Sequence, residues 1–266
     1  MHINEILQSV QRATDSAGGF TAEVSDDWAQ GRTLFGGIQA ALAVQAMRCL
    51  APDAPPLWSL HTTFVAPLPP GRIRLQTQVL RQGRAAVQME ARLMDGEQVA
   101  AVCVAVFGGL RESAVRVEPV PPAALPAREP GPALPFIPGV VPNFTQHYGY
   151  RWWEGGIPFS GAKTPGNRVL LRQRDEGALD EAQIVALADA IPPAALSMVS
   201  APTPGSTLSW ALEFVRHPAA VPSEGWWRVD VDLVAARDGY SNQDTHLFGP
   251  DGELVALARQ VVAVFG

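Results

Sequence analysis

Residues 95–108 read Asp-Gly-Glu-Gln-Val-Ala-Ala-Val-Cys-Val-Ala-Val-Phe-Gly, and residues 251–266 read Asp-Gly-Glu-Leu-Val-Ala-Leu-Ala-Arg-Gln-Val-Val-Ala-Val-Phe-Gly. Each is an Asp-Gly turn running into a long apolar, β-branched strand. The second copy is longer by two residues, which by itself leaves every side chain on its original face. Gln260 is the exception within it, an amide in a run of aliphatic residues. The repetition extends upstream. Arg81-Gln-Gly-Arg84 matches Arg237-Asp-Gly-Tyr240, and Phe64-Val65 before Pro67 matches Phe214-Val215 before Pro218. Before each set lies a helical stretch free of internal Gly and Pro, at 38–50 and 180–191. A helix followed by four strands thus occurs twice, at a spacing that means duplication of a whole domain and not a solenoid, whose periods are ~20–50 residues.

The spacing of breakers supports this order. Residues 2–13 set Ile3, Ile6, Leu7 and Val10 on one helical face, Gly18-Gly19 ends that helix, and Phe20, Ala22 and Val24 alternate as a strand. Gly36-Gly37 opens the first long helix, whose residues 38–47 are apolar on nearly every side. Such a helix needs cover all round, as a sheet curled about it would provide. Strands are expected at about 57–66, 71–81, 85–94 and 97–107. The stretch 119–142 holds nine prolines and little periodicity, which makes it a stiff, extended connector and the boundary between units. Beyond it, the aromatic run 144–153 and residues 168–174 read as strands. Asp180 with Gln183 forms a capping box for the second helix, and Pro192-Pro193 ends it. Further strands are expected at 206–216, 226–236, 240–248 and 253–265.

A net charge of −6 and a pI near 5.4 argue against a general nucleic-acid or anionic-membrane binder. Every basic residue except Lys163 is arginine, a bias that genome composition explains as well as phosphate binding does. Cys49 and Cys103 sit in apolar contexts and read as buried thiols; neither a disulfide framework nor a metal-type spacing is present, as fits a reducing compartment. The start of the chain lacks the features of a signal peptide, and the longest apolar run, Val99–Leu110, is too short to span a membrane. A cytoplasmic protein that works without membrane, nucleic acid, metal or cofactor is expected.

Chemistry is sought where the two copies differ. Counting from the shared Phe-Val, Thr207 lies opposite Leu57, and the same offset sets Asp189 opposite Gln39. Counting from the shared Asp-Gly-Glu, Gln260 lies opposite Val104. The second copy therefore carries a carboxylate, a hydroxyl and an amide where the first has an amide and two aliphatics. Buried polar groups need partners, and these three can share one water, the carboxylate taking its proton while hydroxyl and amide orient it. Each also has a plainer reading: Asp189 as an exposed helix residue before a proline break, Thr207 as an ordinary strand residue, Gln260 on a solvated strand face. Gly36-Gly37 fits a tight helix start, or a place where a ligand carbonyl meets free N–H groups at a helix N-terminus.

Together these stretches resemble the TesB-like acyl-CoA thioesterases. The resemblance rests on Leu34-Phe-Gly-Gly37 and its helix, Ser59-Leu-His-Thr-Thr-Phe64, Val79-Leu-Arg-Gln-Gly83, Asp180 with Leu187-Ala-Asp189, Ser206–Phe214 and Asp251–Gln260, which span nearly the whole chain outside the connector. It implies an α+β double hotdog, two tandem units each with a curved antiparallel sheet wrapped around a central helix: residues 1–110, a proline-rich linker at 111–142, and residues 143–266. It further implies hydrolysis of an acyl-CoA thioester, with the family's catalytic Asp, Thr and Gln falling on Asp189, Thr207 and Gln260, and Gly36 and Gly37 at the substrate. Some members carry a His where this chain has Trp58, so His61 is given no catalytic role and is expected as a hydrogen-bonded strand residue. Two other readings remain open at this point: a non-catalytic acyl- or acyl-CoA-binding double hotdog protein, and a hotdog enoyl-CoA hydratase, although no Asp–His pair at that family's spacing is present. Acyl-chain length stays open, and association into homo-oligomers is compatible with the fold.

Overall fold

The computed structural model describes residues 1–14, 18–119, 122, 129–175, 179–217, 221 and 224–265. The first unit runs α1 (Ile3–Gln8), β1 (Gln11–Arg12), β2 (Gly19–Val24), a small hairpin of β3 (Ala29–Gln30) and β4 (Thr33–Leu34), α2 (Gly36–Leu50), β5 (Leu57–Phe64), β6 (Gly71–Gln82), β7 (Ala86–Asp95) and β8 (Gln98–Gly108). The second runs β9 (Tyr148–Glu154), β10 (Gly166–Gln173), α3 (Glu181–Ala188), α4 (Ala195–Met198), β11 (Gly205–Phe214), β12 (Trp227–Arg237), β13 (Tyr240–Phe248) and β14 (Leu254–Val264).

All strands but the β3–β4 hairpin form one sheet of 12, and its order reveals the duplication. At the centre β5 pairs antiparallel with β11, His61 opposite Ala211. Outward from this seam lie β8, β7, β6, β2 and β1 on one side and β14, β13, β12, β10 and β9 on the other. α2 touches β1 as well as β6, β7 and β8, although β1 and β8 stand four strand positions apart. In a flat sheet that separation is roughly 19 Å, so the sheet must curl around the helix. The run Gly37–Val44 is accordingly buried on all sides. This is a double hotdog, with α2 and α3 packed against each other inside it.

Three details differ from the sequence reading. The first helix stops at Gln8, because Gln11 and Arg12 pair with Thr21 and Phe20 instead. The second helix has its Asp180–Gln183 capping box but ends at Ala188, leaving Asp189 as the C-cap. The match of Gln260 to Val104 is off by one residue. In the sheet Trp210 pairs with Gln260 and the equivalent Leu60 pairs with Ala105, so Ala105 is the counterpart. The first copy has one residue more than the second between its Asp-Gly turn and this position, which shifts the count, and the faces agree: Gln260 and Ala105 are buried, whereas Val104 is only partly so.

The connector does more than join the units. Among its described residues, Gly131 and Leu134 donate backbone hydrogen bonds to Trp152 and Tyr150 of β9, at 2.9 and 2.8 Å. Residues 120, 121 and 123–128 of the expected linker lie outside the described residues. Further aromatic contacts tie the units together: Phe35 stacks on Phe144 at 4.0 Å, and Trp28 on His147 at 4.1 Å.

Between the helices, the Arg48 guanidinium at the end of α2 pairs with Glu181 at the start of α3, with one N–O distance of 2.9 Å, and also holds the carbonyls of Ala54 and Pro55. Glu181 in turn accepts the backbone N–H of Leu57 at 3.2 Å. Removing the carboxylate strands a half-buried cation. Glu181→Ala is expected to lower the unfolding free energy in urea titrations by about 2–3 kcal/mol. A loss under ~0.5 kcal/mol would rank the pair with ordinary surface bridges.

Candidate active site

The capped end of α3 meets the start of α2, and the local sequence explains why they can touch. A Cβ on Gly37 would stand 2.7 Å from the Ala186 carbonyl oxygen and 2.5 Å from the Phe35 ring, so only glycine permits this approach. A Cβ on Gly36 would stand 2.7 Å from Asp189 Oδ2. The two glycines thereby admit the Asp189 carboxylate to the N-terminus of α2, where the first N–H groups have no partner within the helix.

Gln260 on β14 donates from Nε2 to Asp189 Oδ1 at 2.5 Å. Its own Oε1 accepts from Gln243 Nε2 on β13 at 2.9 Å, and Gln243 Oε1 accepts the backbone N–H of Ala194 at 2.9 Å. Burial pushes the Asp189 pKa up to about 7, while the Gln260 amide and the Gly37 N–H act against that rise. The carboxyl group therefore changes charge near neutral pH, as a general base working at that pH requires.

Asp189 opens on one side to a cavity of about 410 Å³, which Gly36, Thr207 and Gln260 also line. Most of the remaining wall is apolar and aromatic, including Phe64, Phe136, Phe144, Tyr150, Trp152 and Phe159. Thr207 sits at a β-bulge, where the register with β14 shifts between Thr207 and Ser209. The first unit has the same bulge between Leu57 and Ser59, so the backbone device is duplicated, and at the Leu57 and Thr207 position only the second copy has a hydroxyl. Among the described residues no group of three or more His, Cys, Asp or Glu side chains could hold a metal ion, and no helix is long and apolar enough to cross a membrane.

Comparison with known families matches residues 24–108 to the acyl-CoA thioesterase N-terminal domain and residues 119–264 to the acyl-CoA thioesterase C-terminal domain. The chain belongs to the acyl-CoA thioesterase family. Solved structures share the thioesterase's fold over its whole length. A hot dog fold protein of unknown function from Alicyclobacillus acidocaldarius is 22% identical with a TM-score of 0.87, over 99% of this chain and 98% of that one. A tesB protein of Mycobacterium avium subsp. paratuberculosis gives 14% and 0.75 over 100% of both chains. The acyl-CoA thioesterase II TesB2 of Mycobacterium marinum gives 17% and 0.72 over 99% and 98%. At these identities the likeness is one of fold. No curated protein sequence matches the chain.

The residues singled out in the thioesterase's sequence thus meet at one cavity, though not all in the same way. Asp189 and Gln260 are directly bonded, and Gly36 and Thr207 share the wall. No direct hydrogen bond joins Thr207 to either of them among the described residues. Gly37 is buried and turns its N–H toward Asp189, so it holds the carboxylate in place of facing the cavity. His61 is exposed on β5, because Leu60 and Thr62 take the buried face, and among the described residues its side chain has no hydrogen-bond partner, although the sequence suggested one. Cys103 is buried, but Cys49 only partly so. Gln243 was missed. Its signal was the inner face of β13, Ser241, Gln243 and Thr245, against Val87, Met89 and Ala91 on the inner face of β7.

Gly36→Ala isolates the role of this close approach, since the added methyl displaces the end of the Asp189 side chain and the Phe64 ring without straining a positive-φ backbone. Thiol release from an acyl-CoA is expected to fall roughly 10–100-fold, the cost of an ångström-scale misplacement, with far-UV circular dichroism unchanged. Native turnover in this variant would mean that the carboxylate's position does not matter.

Proposed function

We propose that the chain hydrolyses the thioester of an acyl-CoA to free acid and CoA, with Asp189 as general base and Thr207 and Gln260 orienting the attacking water. The observation that carries this reading is the Gln260–Asp189 hydrogen bond at the wall of the cavity. An ionised Asp189 takes a proton from water as its oxygen bonds to the thioester carbon. The C–S bond then breaks, and the departing sulfur receives that proton, leaving Asp189 ionised again. Nε2 of Gln260 has a second hydrogen beyond the one given to Asp189, and this and the Thr207 hydroxyl are the groups suited to hold the water. The carbonyl oxygen, as it gains charge, is assigned to the N-terminus of α2 at Gly36. The apolar, aromatic part of the cavity is assigned to the acyl group.

The hydratase reading loses support because no histidine is among the described residues lining the cavity. A binding protein without turnover has no use for a carboxyl group poised near neutrality at the wall of a ligand-sized cavity. Cytoplasmic location and association of copies belong to the proposal as expectations only.

Asp189→Asn keeps the shape and removes the base, and is expected to lower kcat by roughly 10²–10⁴-fold. Thr207→Ala and Gln260→Ala loosen the water and should cost less, on the order of 10–100-fold. KM should change little in all three, because none of them needs to hold CoA. Steady-state kinetics on a panel of acyl-CoAs is the measurement, and an Asp189→Asn enzyme as fast as the parent would overturn the scheme.

The pH profile is a separate check. The base acts only when ionised, so the rate should be full well above pH 7 and fall as pH drops through the Asp189 midpoint at about 7. An acid limb centred near pH 4 would assign the titration to an ordinary exposed carboxylate.

A further inference from the structure

Gln260 could in principle present either end of its amide to Asp189, and the choice matters. The NH₂ end stabilises a carboxylate, whereas the oxygen end can only accept a proton from a protonated carboxyl group. What fixes the choice lies two residues away. The Ala194 backbone N–H can only donate, so Gln243 must turn its oxygen toward it, at 2.9 Å. That turns the Gln243 NH₂ toward Gln260, which must answer with its oxygen, again at 2.9 Å. The NH₂ of Gln260 is then left facing Asp189 at 2.5 Å. Gln243 is 0% exposed and Gln260 4%, so water does not compete for these contacts.

We propose that Gln243 is a positioning residue of this site: by relaying the polarity of the Ala194 N–H, it locks the Gln260 amide with its donor end toward Asp189. The proposal rests on the reading of Asp189 as the base only for its consequence in catalysis; the relay itself acts on Asp189 whatever that residue does. Ala194 lies just beyond the Pro192-Pro193 break that follows Asp189, so the relay also ties the segment carrying the carboxylate to the inner face of β13 and β14. The first unit has no such device, because Ala105 and Met89 pair where Gln260 and Gln243 do.

Few other charges bear on Asp189. α2 offers backbone groups only, at Gly36 and Gly37, and β14 offers Gln260. From β9 come the phenols of Tyr148 and Tyr150, both kept neutral by burial, with the Tyr150 hydroxyl donating to the Ala190 carbonyl at 3.0 Å. Among the described residues no Lys, Arg or His side chain lines the cavity. A change in the Asp189 midpoint on altering Gln243 therefore reports the amide relay and not a rearranged ion pair.

The test follows Asp189 ionisation by carboxyl ¹³C NMR in the intact chain, alongside the acid limb of kcat/KM. Gln243→Met keeps the length of the side chain and removes both ends of the amide, freeing Gln260 to turn its oxygen to a protonated Asp189. Ala194→Pro removes the N–H that starts the relay without touching Gln243, at a residue whose φ of −60° suits proline. Each variant is expected to raise the Asp189 midpoint by roughly 0.5–1 pH unit, as for the loss of one oriented hydrogen bond, with the rate well above the midpoint retained within a few-fold. A folded variant of either kind with the parent midpoint overturns the proposal, as does a loss of rate equal at every pH, which is what a merely structural Gln243 would give. Failure of the base reading looks different, since Asp189→Asn would then retain the parent rate whether or not the midpoint moves.

Discussion

The site depends on two helix ends approaching more closely than side chains allow. Gly37 lies against the Ala186 carbonyl and Gly36 against the Asp189 carboxylate, so the N-terminus of one unit's helix faces the C-cap of the other's. Neither end is useful alone. The first provides partial positive charge and unpaired N–H groups without an acid or base, and the second provides a carboxylate that burial would otherwise keep protonated. Their contact stabilises the charge enough to leave Asp189 poised near neutrality. The rest of the architecture holds this contact in register: the β5–β11 seam fixes the two halves of the sheet, the Arg48–Glu181 pair fixes the far ends of the helices, and Phe35 on Phe144 clamps the start of α2.

Much of the fold was legible because duplication makes the chain its own control. Two strands that share an Asp-Gly turn and an apolar run must occupy equivalent places, and an all-apolar helix must be wrapped. Thr207 and Gln260 were legible for the same reason, as polar departures from an aliphatic copy, and Asp189 as a carboxylate where the copy has the amide of Gln39. Counting failed where the copies differ in turn length. One additional residue between the first Asp-Gly turn and the body of β8 moved the partner of Gln260 from Val104 to Ala105, a slip that only the sheet pairing reveals. The end of α3 was likewise placed too late, because Pro192 forbids helix only near itself, whereas the helix already stops at Asp189.

Gln243 escaped notice for a physical reason. A polar residue on a strand is unremarkable unless its face is known, and the face follows from pairing, which no local pattern states. The inner face of β13, carrying Ser241, Gln243 and Thr245, shows that the second unit gave up apolar burial on several strands and not at one residue. Such polar substitutions in a core are tolerable only when each is bonded, and the Ala194–Gln243–Gln260–Asp189 series meets that condition with Asp189 as its one ionisable member.

The connector contributes Leu134, Pro135, Phe136 and Val141 to the cavity wall, yet it belongs to neither sheet. Among the described residues its backbone bonds to the sheet are those of Gly131 and Leu134 to the edge strand β9, so its side chains can change volume without disturbing strand register or the helix contact. The room left for a ligand is thereby uncoupled from the folding core: a different ligand shape can be met by rewriting a strap of prolines, while the carboxyl and amide groups across the cavity stay untouched.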